Sequence, residues 1–454
     1  MNKNIKKTLG LLLAVVSLSA CDGKLDLSPK DAVLPEQVGG PEGDKLLNGI
    51  YDAFQNGNLG SSYAYLSYVT EDLSADNLIY RATFFQHGEI DDNNILTDNV
   101  LTSRYFNFPY VAIQRANDLI AIVNASESMD QATKDRLLGS SYFFRAYAYY
   151  RLVTLFGAVP IVNDRDIKEV PRNSVDEVYN QIISDLKLSI QHPAPFTKSD
   201  FVSVDAAKAL LARVYLLRSE PALAKEMALE VIANKKFAIE SNYSKMFTTS
   251  LESAEHIFKI TNTAIEGTNS LYYFLQHPSM PGSGRAELPV DQSLVDAYED
   301  GDERKSASIQ EVLASEANPG WYVKKYHSPD GDGAHPFYIL RLSEMYLIVA
   351  ECELSTAPAT ALTYINEVRT NRGLKALKAV TLDDIIKERR VEFAFENLRW
   401  MDMRRTPSKE NASKSMATIF LEKKGRSVND ELYPIPQSAI STNPQLLPNN
   451  EGYN

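Results

Sequence analysis

Apolar positions along the chain recur mostly at spacings of three and four, the period that aligns side chains on one face of an α-helix. Over 43–55, Leu46, Leu47, Ile50 and Phe54 form such a stripe. Over 109–124 the stripe is Val111, Ala112, Ala116, Leu119, Ile120 and Val123. A long aromatic helix is predicted over 133–156, carrying Leu137, Phe144, Ala148 and Leu152 and stopped by Gly157 and Pro160. Ser174, with Glu177 three positions on, forms a capping box at the head of the next helix. The buried face of that helix is Val178, Ile182, Leu186 and Ile190.

Residues 203–218 and 221–234 read as two helices separated by two or three residues, with Pro221 at the first position of the second. Residues 340–355 and 358–370 repeat the arrangement, with Pro358 in the same place. Small alanines at crossing positions and a tyrosine in the first helix resemble the tetratricopeptide repeat. About four such pairs fit the chain. Two long stretches, 56–108 and 235–339, interrupt them and hold short strand-like runs such as His256–Ile260. Excursions of that length in a compact body usually serve a function, so binding residues are sought there. The expected fold class is all-α: a tetratricopeptide-like helix-pair scaffold with long irregular loop excursions and a few short strands.

The N-terminus has a different pattern. Lys3, Lys6 and Lys7 precede an apolar run from Leu9 to Leu18, and Leu18-Ser19-Ala20-Cys21 closes it. A basic start, a short apolar core and small residues before the cut describe a secretory signal, too short to span a bilayer. Ending at cysteine, it reads as a bacterial lipobox, with residues 1–20 removed and Cys21 carrying the lipid. Each buried CH₂ of that lipid contributes about 0.8 kcal/mol of membrane affinity. Residues 21–40 lack periodicity and read as a tether. Residues 41–454 then form one helical domain, with halves of about 41–235 and 236–454.

Composition narrows the function. The 454 residues are 44% hydrophobic with Tyr 24 and Phe 18, which indicates a packed body. Removing residues 1–20 takes away three lysines and no acids, moving the formal charge from -12 to -15. Such a surface repels phosphate backbones, and no basic run interleaved with aromatics offsets it, so nucleic acid is not an expected partner. Cys352 is then the sole thiol; it shares a helical stripe with Leu342, Met345, Tyr346 and Val349 and is expected in the core. No internal disulfide can form.

Candidate chemistry is sparse. His87, His192, His256, His277, His327 and His335 form no zinc-like pair and no HExxH run. Gly282-Ser283-Gly284 lacks the spacing of a nucleophile elbow. Asp330-Gly331-Asp332-Gly333 lacks the twelfth-position glutamate of a calcium loop and reads as a solvated turn. No catalytic constellation, metal or cofactor is predicted. Residues 381–405 stand apart: Thr381 and Asp384 cap a helix, and Glu388, Glu392, Glu396 and Arg399 follow at spacings of four, four and three. With Ile385, Phe393, Leu398 and Trp400 on the apolar positions, this face is expected to lock the helix onto its neighbours, chiefly through pairs within the helix itself.

Several runs together carry a family resemblance. KERRVEFAFENLRWMDMRR, the ending Leu432-Tyr433-Pro434-Ile435-Pro436 with Asn443-Pro444 and Asn450 to Tyr453, FFRAYAYYRLVTLFGAVPIV and YILRLSEMYLIVAEC resemble the SusD/RagB family of Bacteroidetes outer-membrane lipoproteins, from the lipobox to the C-terminus. The resemblance implies a cell-surface, lipid-anchored protein of the outer membrane that is not an enzyme. It would capture an oligosaccharide and pass it to a SusC-like TonB-dependent transporter; the alternative the family offers is peptide capture of the RagB type. A surface hydrolase and a purely structural assembly protein are the competing classes.

A sugar ring offers an apolar face to aromatic side chains and a hydroxyl rim to polar ones. In the first excursion the acidic turn Glu71–Asn77 precedes Tyr80, which matches the family's ligand-stacking aromatic. Asn77, Arg81, Phe84, Phe85 and Gln86 lie beside it in sequence. The second excursion offers Tyr272, Tyr273, Gln276 and Trp321, the last presented by the Pro319-Gly320 turn. Starch-binding members favour tryptophan where Tyr80 stands, which argues against starch and leaves the glycan open.

Overall fold

The computed structural model describes residues 35–55, 63–81, 83–164, 169–247, 252–262, 271–281, 284–326 and 335–453. The signal sequence, Cys21, most of the tether, Gly282-Ser283, His327, the Asp330–Gly333 turn and the side chain of Tyr272 lie outside the described residues.

Helices stack in one continuous series. Val100–Ala125 packs on Gln131–Phe156, which packs on Val175–Gln191, then Val204–Leu217, then Pro221–Ile232. The next layer in space is Leu342–Glu353, more than a hundred residues further along the chain, followed by Pro358–Thr370. The second excursion therefore leaves and re-enters the superhelix between adjacent layers. This is the expected all-α, tetratricopeptide-like scaffold. Local signals act as read: Ser174 and Glu177 form the reciprocal capping box, and Pro221 and Pro358 start their helices. Gly157, at φ 69°, ends the long aromatic helix.

Two elements differ from the sequence reading. The helix expected from 109 starts at Val100, because Asn99 caps it by accepting from the amides of Leu101 (2.9 Å) and Thr102 (3.2 Å), and Pro109 is tolerated inside it. The first excursion also holds the helix Tyr63–Ser74, every residue of which is buried. With no polar face it has no amphipathic period to read. Its tyrosines fill the core: Tyr63 packs edge-on to Phe54 (5.0 Å) and Tyr68 stacks on Tyr326 (4.8 Å).

The strands are short. β1 (His256–Ile260) pairs antiparallel with β4 (Phe337–Arg341), and β2 (Ile309–Val312) with β3 (Gly320–Val323), where Glu311 lies opposite Trp321. Cys352 is half-buried rather than fully internal, and burial pushes its thiol up to about 12, so it stays protonated.

The charged segment 381–405 is broken. Leu382–Glu392 is one helix, capped by Thr381 and Asp384; the chain then turns through Phe395 (φ 66°) and Asn397 (φ 56°) before Arg399–Arg405 begins another. Locking occurs as expected, but through arginines of other elements. Arg304 pairs with Glu388 (2.6 Å) and Glu392 (3.0 Å), and Arg372 pairs with Glu392 (2.9 Å) and Glu255 (2.9 Å). Arg341 reaches Glu255 (2.6 Å), Glu392 (2.8 Å) and Glu396 (2.8 Å), all of them buried. Neighbouring arginines hold Glu392 ionised against its burial, far below the usual carboxylate range. No helix among the described residues is long and apolar enough to cross a membrane.

Candidate functional site

The two excursions meet along a backbone ladder. The turn after Tyr63–Ser74 is fixed by Asp72, which accepts from the side-chain amide of Asn77 (2.5 Å), and by the Asn77 carbonyl, which accepts from the amide of Asp291 (2.9 Å). The chain then runs extended beside 287–290: Ile79 donates to the Pro289 carbonyl (2.9 Å) and Arg81 to that of Glu287 (3.1 Å). Val290 in turn donates to the carbonyl of Trp321 in β3 (2.8 Å). Three ribbons thus lie side by side, and residues more than two hundred positions apart become neighbours.

Tyr80 is half-buried on the first ribbon, its ring laid over Gly88, where a Cβ would come within 2.9 Å of the ring. Phe84 packs edge-on to the His87 imidazole (4.9 Å). From the second excursion, Tyr273 is half-buried beside Phe274 (5.1 Å), with the Arg285 guanidinium 5.6 Å from its ring. Arg285 pairs with Glu287 (2.6 Å), whose carboxyl burial pushes up while Arg285 pulls it down. Below these, His87 is buried and held neutral, lowered to about 3 chiefly by desolvation. Burial keeps the Tyr65 phenol protonated; its oxygen lies 2.6 Å from His87 Nε2, and His87 Nδ1 lies 3.8 Å from Glu287 Oε2.

Arg81 is exposed and donates across to the Pro319 carbonyl (2.8 Å), bridging the first ribbon to the third. Trp321 is half-buried there, with the Lys305 ammonium 5.1 Å from its ring centroid. Its indole lines a cleft of about 500 Å³ together with Asp300, Gln310, Glu311 and Lys324. That volume falls in the range of small-ligand sites.

The remaining sequence candidates divide. Phe85 is 62% exposed at the head of the helix Phe85–Asp91, and Gln86 is half-buried, its carbonyl accepting from Asn99 (3.1 Å). Asn77 and Gln276 leave the candidate set, because both are buried and their side-chain NH2 groups donate internally. Asn77 bonds Asp72 and accepts from Arg390 (3.0 Å), while Gln276 donates to the Tyr326 carbonyl (3.0 Å). Arg285, Glu287 and Lys305 were absent from the sequence candidates. Arg285 follows the Gly282-Ser283-Gly284 run and Glu287 lies two residues on, but that run lacks the nucleophile-elbow spacing and marks no site; nothing local marks Lys305. Among the described residues no group of histidine, cysteine and carboxylate side chains could hold a metal.

Flat rings at Tyr80, Tyr273 and Trp321, set among guanidinium, amide, ammonium and carboxylate groups, suit a polyhydroxylated ligand. Its C–H faces would lie on the rings while its hydroxyls pair at their rims.

Comparison with known proteins follows the same lines. A family model described as SusD family matches residues 304–453, and one described as starch-binding associating with outer membrane matches residues 25–216. A curated relative, SusD-like protein P2 of Formosa agariphila, is 24% identical over 511 residues, covering 99% of this chain and 100% of its own. Among solved structures, a laminarin binding SusD-like protein is 24% identical with a TM-score of 0.79, covering 91% of this chain and 99% of that one. Surface glycan-binding protein A from Bacteroides thetaiotaomicron, in complex with laminarihexaose, is 18% identical with a TM-score of 0.76, covering 91% of this chain and 100% of that one.

Proposed function

The chain belongs to the SusD/RagB family, and from that premise we propose that it is a cell-surface lipoprotein that captures oligosaccharide and delivers it to a SusC-like TonB-dependent transporter of the outer membrane. One observation carries the reading: the backbone ladder from 78–81 through 287–290 to β3 brings the segments that carry Tyr80, Arg81 and Trp321 side by side, with Tyr273 joined to Arg285 by the Arg285 amide donating to the Tyr273 carbonyl (2.7 Å). Binding rather than catalysis is the role that fits, since the rings offer area and the polar groups offer hydrogen bonds. Cys21 supplies the lipid anchor and the residues after it the tether, which ends before the buried Val38 and the helix Gly40–Gln55 rather than at residue 40. The family model named for association with the outer membrane supports that location.

Isothermal titration against neutral oligosaccharides, laminarihexaose and maltohexaose among them, tests the reading. At least one sugar should bind the wild type, and Tyr80→Ala/Tyr273→Ala should lose that binding. Peptide capture is the alternative; binding of a peptide library with no sugar bound would favour it. Release of reducing sugar from a bound glycan would refute the non-enzymatic role. A Cys21→Ser protein should leave the membrane fraction, and its retention there would contradict lipid anchoring.

A further inference from the structure

We propose that the protein carries a second saccharide-binding site, in a groove running past Phe201 between the helix Gly40–Gln55 and the 193–202 segment. Phe201 is 58% exposed. Its backbone is fixed: the Phe201 amide donates to the Lys198 carbonyl (3.2 Å), and Val204 donates to that of Ala194 (2.9 Å). The neighbouring Asp200 accepts from the Thr261 hydroxyl (2.6 Å). Single exposed apolar side chains are ordinary on protein surfaces. Phe201 differs in its setting, for it stands where two clefts join, of about 730 Å³ and about 690 Å³, which share Tyr51, Arg136 and Phe201 in their walls. Phe85, as exposed, lines neither.

The charges of the groove select the ligand. Three of its four carboxylates are matched by an arginine or lysine, Asp44 by Arg136 (2.5 Å), Asp52 by Arg115 (2.9 Å) and Asp200 by Lys198 and Lys259, while Asp135 lies 2.9 Å from the His192 imidazole. The lining therefore disfavours an anionic ligand, and its ion-paired carboxylates are fixed acceptors for hydroxyl donors. Asn48 is exposed on the same wall, and Gln55, also on it, donates to the Thr261 carbonyl (2.5 Å). A purely apolar ligand would strip water from these groups without replacing its hydrogen bonds. A neutral saccharide satisfies both demands, laying a ring face on Phe201 and hydroxyls on the amides and carboxylates.

This groove shares no residue with the Tyr80–Trp321 surface and stands independently of the function proposed for it. Two sites on one chain would hold a polymeric glycan more tightly than either alone.

Affinity electrophoresis through gels containing laminarin, starch, xylan or galactomannan tests the proposal on the mature chain. In at least one gel, Tyr80→Ala/Tyr273→Ala should keep measurable retardation that adding Phe201→Ala abolishes. Phe201→Ala alone should weaken binding about tenfold, the scale of removing a stacked aromatic. Asn48→Ala, at an exposed helical position that endangers no packing, should weaken it in the same gel. If Phe201→Ala and Asn48→Ala migrate as wild type in every gel, or if no polymer retards the wild type, the second site is overturned. Loss of all retardation in Tyr80→Ala/Tyr273→Ala alone would sink this site and leave the first; loss in Phe201→Ala alone would do the reverse.

Discussion

Asp72→Asn should shift stability in the variant's favour, relative to wild type, as pH rises. Asp72 is fully buried, and both hydrogen bonds it receives, from the Asn77 side chain (2.5 Å) and the Phe395 amide (3.2 Å), go to Oδ1. Oδ2 has no partner. Burial outweighs those bonds and pushes the carboxyl from 3.8 up to about 7. A folded-state pKa above the unfolded one gives stability that is complete below about pH 4 and is lost as pH climbs through about 7. A shift of about 3 units corresponds to about 4 kcal/mol once both states are ionised. Asparagine cannot ionise, and its oxygen can keep both bonds. Its amide placed at the Oδ2 position adds a pH-independent cost of about 1–3 kcal/mol. The variant's gain over wild type should therefore grow by about 2–3 kcal/mol between pH 5 and pH 8. For a domain of roughly 400 ordered residues that is a relative rise in Tm of about 3 °C. Thermal denaturation of both proteins at the two pH values measures it. An equal difference at pH 5 and pH 8, or one that turns against the variant as pH rises, would refute the reasoning.

Three further outcomes follow from the geometry. Glu392→Gln removes the carboxylate shared by Arg304, Arg341 and Arg372 and should cost about 3–5 kcal/mol in chemical denaturation; a loss under about 1 kcal/mol would mean the network is not cooperative. Trp321→Ala should weaken oligosaccharide binding by about 1–3 kcal/mol, and unchanged titration isotherms would remove Trp321 from the site. Gly88→Ala, within the helix Phe85–Asp91, forces the Tyr80 ring aside without reaching a ligand, so binding should fall several-fold while Tm holds; unchanged binding would show that the pose of Tyr80 does not matter.

What the sequence revealed depended on how local each signal was. Ser174 with Glu177 and Thr381 with Asp384 act within one turn, so their caps were readable, as were Pro221 and Pro358. Tyr63–Ser74 escaped because a helix buried on all sides has no polar face. The break at 393–398 escaped because distant groups impose it. The Phe395 amide donates to Asp72, the Tyr326 hydroxyl donates to the Phe395 carbonyl (2.7 Å), and the Asn397 side chain donates to Ser67 (2.8 Å). In the candidate site the aromatic types pointed to Tyr80, Tyr273 and Trp321. Asn77 and Gln276 looked equally suitable as ligands until the structure showed their amides engaged by Asp72 and Tyr326. Arg285 and Lys305 gain their meaning only from the rings beside them.

The most direct test is a crystal structure of the mature protein with the oligosaccharide that binds it most tightly in titration. Sugar rings stacked against Tyr80, Tyr273 or Trp321, with hydroxyls in reach of Arg81 or Arg285, are the predicted result. An ordered ligand touching none of the three ribbons would contradict the account.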